Sequence, residues 1–108
     1  MPNFRNSSQG TIAANDTAVT LSYRQFFNGG IGVQVTGTWS GTLQFEMTID
    51  GTNFVAVQTQ NVNTSVIANT TTANGIFKFD AVGALTVRVR STAWSSGTAT
   101  VTIVGMAG

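Results

Sequence analysis

The chain has 108 residues, five basic and four acidic, for a formal net charge of +1, and contains neither cysteine nor histidine. That length supports one domain with one hydrophobic core, and the missing residues exclude disulfides, thiolate nucleophiles, the common zinc sites and every catalytic triad that uses imidazole as its base. A near-neutral chain has no long-range field to steer an anionic polymer, so no nucleic acid partner is expected.

The opening segment, MPNFRNSSQG, lacks the apolar run of a signal peptide, and no apolar stretch elsewhere approaches membrane-spanning length. The chain is therefore expected to be made in a cytoplasm, with no membrane partner. Residues 1–10 show no clean strand pattern and are read as an extended N-terminal arm; residues 11–108 are read as a single domain.

From there the pattern is one of strands. Thr, Val and Gly recur, and apolar residues alternate with polar ones at period two. In TAVTLSY, Val19, Leu21 and Tyr23 share a face. The adjacent Phe26 and Phe27 point to opposite sides if the segment is extended, which leaves one of them exposed unless a neighbour covers it. After Asn28-Gly29-Gly30 comes IGVQVTGTW, with Ile31, Val33 and Val35 on one face and Trp39 at the end. TLQFEMTI follows, with Leu43, Phe45, Met47 and Ile49 inward and Gln44, Glu46 and Thr48 outward. Asp50-Gly51 is a hairpin signal leading to FVAV.

Residues 59–74, TQNVNTSVIANTTTAN, are longer than a hairpin connection needs, and loops of this kind tend to be functional or mobile. Val66 and Ile67 interrupt their polarity; pinning of the loop to the core is the favoured reading, and an apolar contact to a partner is the other. IFKFD then adds Phe77 and Phe79. LTVRVRS sets Leu85, Val87 and Val89 against Arg88 and Arg90, and after Trp94 and the turn-like Ser95-Ser96-Gly97 the chain closes with TATVTIV. Half-buried alternation in short runs predicts an all-β fold: an antiparallel two-sheet β-sandwich, jelly-roll or immunoglobulin-like, of about seven or eight strands.

No constellation of residues points to catalysis, and neither a cofactor nor a metal is expected. Glu46 and Asp50 are four residues apart on an extended strand, about 13 Å, which is wider than the ~6.5–9.5 Å of an inverting glycosidase pair. Asp50 is expected to cap its turn, as is Asp16 in NDT. Arg88 and Arg90 project together, and an ion pair with Glu46, within the chain or between subunits, is favoured over ligand binding. Trp39 and Trp94, each beside Ser and Gly, either plug the open end of the fold or form a surface platform for a sugar ring or a protein.

The order VTGTWSGTLQFEMTIDGTNFVAV, then a Thr-rich loop ending in NGIFKF, then ALTVRVRSTAWSSGTATVTI resembles a small β-sandwich of tailed-phage virions, used in capsid decoration (cement) proteins and in tail or fibre modules. The resemblance covers about two thirds of the chain and rests on turn and core residues. It implies a non-enzymatic virion protein that binds the major capsid protein on the outer capsid surface and reinforces the shell; the length of the chain favours this over a tail- or fibre-associated module with a carbohydrate- or receptor-binding face. Low charge and exposed aromatics add the expectation of a homo-oligomer, a trimer. Candidate contact residues are Phe4 and Arg5 on the arm, Phe26, Trp39, Val66, Ile67 and Trp94.

Overall fold

The computed structural model describes residues 4–22, 30–81 and 83–107. Period-two alternation becomes strand throughout, and no helix occurs among the described residues. In chain order the strands are β1 (Phe4–Ile12), β2 (Ala18–Ser22), β3 (Gly30–Thr48), β4 (Val55–Ala56), β5 (Thr59–Asn61), β6 (Ile67–Ala68), β7 (Thr70–Thr71), β8 (Gly75–Asp80) and β9 (Thr86–Ala107). Every pairing is antiparallel. The all-β, antiparallel character read from the sequence is what the chain adopts.

The arrangement of those strands differs from the expected two sheets of seven or eight strands. All nine belong to one hydrogen-bonded sheet, with the order β1-β9-β3-β8-β5-β6, while β2 joins β9, and β4 and β7 join β3. The cause is the length of two strands. IGVQVTGTW and residues 42–48 of TLQFEMTI belong to a single 19-residue strand, and residues 86–91 of LTVRVRS together with TATVTIV to a single 22-residue strand, paired with one another from Ile31↔Gly105 to Thr48↔Thr86. The Gly and Ser clusters that read as turns between strands are instead bends within them. Gly37 and Gly97 have φ of 108° and 84°, a region closed to most L-residues, and a Cβ at Gly37 would sit 2.5 Å from the Thr98 carbonyl oxygen. Register shifts at Ser40/Gly41 and Thr42/Leu43 add to the bend. Pairing survives, so the sheet turns without dividing.

This bend sets the two halves of the sheet around one core. Ile31, Val33, Val35, Phe77, Val101 and Ile103 from one half are fully or almost fully buried with Val19, Leu21, Leu43, Phe45, Val87 and Val89 from the other. The rings of Phe45 and Phe77 meet across it, 5.1 Å between centroids and tilted by 47°. Ser91, wholly buried at the waist, accepts a hydrogen bond from the Thr17 amide at 2.9 Å and donates to the Ala14 carbonyl at 2.7 Å, tying the β1–β2 link to β9.

Two segments depart from their sequence reading. Of the arm expected at residues 1–10, residues 1–3 lie outside the described residues and residues 4–10 form most of β1, in unbroken register with β9 from Phe4↔Ala107 to Ile12↔Ala99. Asn, Ser, Gln and Gly gave no alternation there because an edge strand buries little, and backbone pairing needs no apolar side chain. Residues 59–74 are a short ladder of strands rather than a loop, β5 pairing with both β6 and β8, and β7 with β3.

Candidate interaction surfaces

Among the described residues no group of three or more carboxylates could hold a metal ion. The acidic groups are instead engaged by neighbours. Glu46 lies directly across from Arg88 on β9, with Gln44 across from Arg90, so both guanidinium groups reach one carboxylate. Arg88 Nε donates to Glu46 Oε1 at 2.5 Å, Arg90 Nη2 to Oε2 at 3.1 Å, and Gln44 Nε2 to Oε2 at 2.6 Å. Glu46 is 3% exposed despite lying on the outward face, because the two arginines and their neighbours cover it. Burial pushes its carboxyl up, but the hydrogen bonds from Arg90, Arg88 and Gln44 outweigh that, and its pKa lies below the usual carboxylate value. The same bonds from Glu46, joined by Asp16 at 3.1 Å, raise Arg90. Arg88 also rests on the Phe54 ring, 3.8 Å from its centroid.

The second carboxylate of the stretch serves its turn. Asp50 Oδ1 accepts from the Thr52 and Asn53 amides, both at 2.8 Å, and from Thr48 Oγ1 at 2.9 Å, while Oδ2 accepts from Asn53 Nδ2. Those bonds, the Asn53 amide foremost, hold its carboxyl far below the usual range. Both expectations for these residues hold, the ion pair being within the chain and engaging both arginines.

Trp39 and Trp94, distant in sequence, are brought together by the β3–β9 pairing. Their rings stack with planes 3° apart and centroids 5.4 Å apart. Both are partly buried against the edge of the core. Their polar tips are occupied as well: Trp39 Nε1 donates to Asn74 Oδ1 at 2.7 Å, Trp94 Nε1 to the Gly97 carbonyl at 3.2 Å, and Asn74 Nδ2 donates to the Gly37 carbonyl at 2.8 Å. Trp94 lies so close over Gly41 that a Cβ there would meet its ring. Asn74 had no role in the sequence reading beyond closing the 59–74 segment.

Val66 and Ile67 do not pin their segment to the core, which corrects the favoured reading. They are 61% and 60% exposed, and Val62 and Ile76 are more than half exposed beside them. The Val62 amide donates to the Ile76 carbonyl, the Asn61 amide to the Val66 carbonyl, and Ile67 pairs with Gln60, which puts these four apolar residues on adjoining backbone segments at one end of the sheet. The alternation on β8 explains the exposure: Phe77 takes the inward position, so Ile76 and Lys78 face out. A separate apolar cleft of about 330 Å³ is lined in part by Met47, Ile49, Val55 and Val57 at the β3–β4 hairpin. Of the other candidates, Phe4 and Arg5 are strand residues of β1 paired with Ala107 and Met106, and Phe26 lies outside the described residues.

No protein-family model and no curated protein matches the chain. Solved structures do. The SPBc2 prophage-derived protein YomS superposes with a TM-score of 0.75 at 16% identity, covering 96% of each chain. The PBSX exported protein XepA superposes with a TM-score of 0.76 at 15% identity over 95% of this chain, which spans 38% of that one. At such identities the likeness is one of fold alone.

Proposed function

We propose that the chain is a non-enzymatic structural protein of a bacteriophage particle, exposed at the virion surface, and within that class a capsid decoration protein that binds the major capsid protein and stabilises the shell. The outward group Val62, Val66, Ile67 and Ile76 carries this reading. Isolated exposed aliphatics are ordinary, but four on adjoining segments of a chain with 8% charged residues form a surface suited to burial against another protein. The fold shared with a prophage-derived protein supports the phage context, and the engagement of Glu46 and Asp50 in ion pairs and a turn supports a role without chemistry.

Co-sedimentation with undecorated capsids tests it. Wild-type protein should pellet with the particles and raise the temperature at which they release DNA, and Ile67→Asp with Ile76→Asp should abolish both effects while leaving the circular dichroism spectrum unchanged. Equal binding by that variant would overturn the assignment of this surface.

The Trp39–Trp94 stack favours a second reading, a tail- or fibre-associated module that binds carbohydrate. Partly exposed indoles with an amide beside them are the usual components of a sugar platform. Binding to a glycan array that is lost with Trp94→Ala, together with no binding to capsids, would select this reading over the first.

A further inference from the structure

The edges of the sheet are unequal. β4, β6 and β7 are two residues long and β2 is five, so each offers a visiting strand few backbone groups. β1 is nine residues long, stands last in the strand order and, among the described residues, pairs on one side only, with β9. Every second residue of β1 therefore turns its amide and carbonyl outward along an edge of about 30 Å. Proteins usually guard such an edge with lysine, proline, a bulge or a short strand. Over residues 6–12, NSSQGTI, none of these is found: the segment is uncharged and free of proline, and the register with β9 is unbroken; the one charge of β1, Arg5, lies at its start.

We propose that β1 is a strand-pairing edge and that its partner is β1 of a second copy of this chain, antiparallel about a two-fold axis at Ser8. Self-pairing requires that the strand be complementary to its own reverse. With Ser8 on the axis, Ser7 faces Gln9, Asn6 faces Gly10 and Arg5 faces Thr11, so the single charge of β1 opposes an uncharged residue and no like charges meet. Pairing of this kind uses both long edges at once and closes, leaving the short edges as the ends of a sheet that runs through both copies. The inference stands on strand order and on the composition of β1, and does not depend on the proposed virion role.

Sedimentation equilibrium on the full chain tests both the edge and the register. The wild-type protein should form a dimer of twice 11.3 kDa that dissociates on dilution. Ser7 and Gln9 are exposed, so charges there leave the core intact. Ser7→Lys combined with Gln9→Lys sets like charges opposite each other twice across the axis and should weaken the dimer about tenfold or more. Ser7→Lys combined with Gln9→Glu sets opposite charges across the same axis and should restore affinity to the wild-type level or above. A wild-type chain that is monomeric at every concentration, a like-charge variant that associates as tightly as wild type, or an opposite-charge variant as weak as the like-charge one would each overturn the proposal; unchanged circular dichroism and melting curves establish that the variants are folded.

Discussion

Trp39 and Trp94 lie face to face, 5.4 Å apart and within 3° of parallel, although 54 residues of chain separate them. The stack lies where β3 and β9 bend, with both rings partly buried against the core. Its removal should be felt in stability.

Trp94→Ala is expected to cost about 2 kcal/mol, less than the ~3–5 kcal/mol of a fully buried tryptophan because the ring is only partly covered. Urea unfolding followed by far-ultraviolet circular dichroism measures it. Trp94→Phe, which keeps an aromatic face against Trp39, should lose about half as much. The near-ultraviolet signal of the coupled indoles should vanish in both.

Glu46→Gln leaves two guanidinium groups facing a neutral amide. A fully buried pair broken in this way costs ~3–5 kcal/mol. Here the arginine side chains keep 26% and 28% exposure, so solvent offsets part of the loss and about 2 kcal/mol is expected. Chemical denaturation at pH 7 gives the value, and a loss within about 0.5 kcal/mol would mean that water replaces the carboxylate without penalty.

The same cluster fixes the sign of the acid response. The folded-state pKa of Glu46 is depressed from an ordinary 4.5, so its contribution is complete above pH 4.5 and is lost as pH falls through the lower folded value. Asp50, depressed from 3.8, acts in the same direction further into acid. The melting temperature should therefore be level from about pH 5 to 8 and fall below about pH 4. In Glu46→Gln the first part of that fall should be missing, which thermal melts across the pH series would reveal.

Two glycines of the long strands should respond in opposite ways to alanine. At Gly97, with φ at 84° and the Thr38 carbonyl where a Cβ would go, the backbone must shift, and a loss of about 2 kcal/mol or more is expected. At Gly32, on an outward position of β3 with nothing within 4 Å of a built Cβ, alanine should stabilise by about 0.5 kcal/mol. Paired melting curves of the two variants separate strain from simple entropy.

The residues alone reveal whatever a local rule controls. Side-chain alternation at period two needs only the geometry of one strand, so Val33, Val35, Phe45, Val87, Val89 and Val101 were legible as core before any pairing was known. Asp50 was legible as a turn cap because its acceptors' partners lie within three residues. Arg88 and Arg90 were legible as a cluster because they alternate on one strand, and Glu46 as their counterpart because it sits outward on another. The tertiary structure decided everything that depends on register between distant segments. A Gly-Ser cluster reads the same whether it ends a strand or bends one, and only the continuous β3–β9 ladder, with Gly37 across from Ala99 and Gly97 across from Trp39, makes it a bend. Val66 and Ile67 look like core anchors by hydrophobicity alone, but Ile67 pairs with Gln60, which lies across from Lys78 and not Phe77, and both side chains stay mostly exposed. Residues 4–12 lack an apolar pattern, yet β9 recruits them through backbone hydrogen bonds that no side chain announces. Main-chain pairing is blind to residue type, and so the edges of this sheet, which are the surfaces most open to a partner, are written least clearly in its sequence.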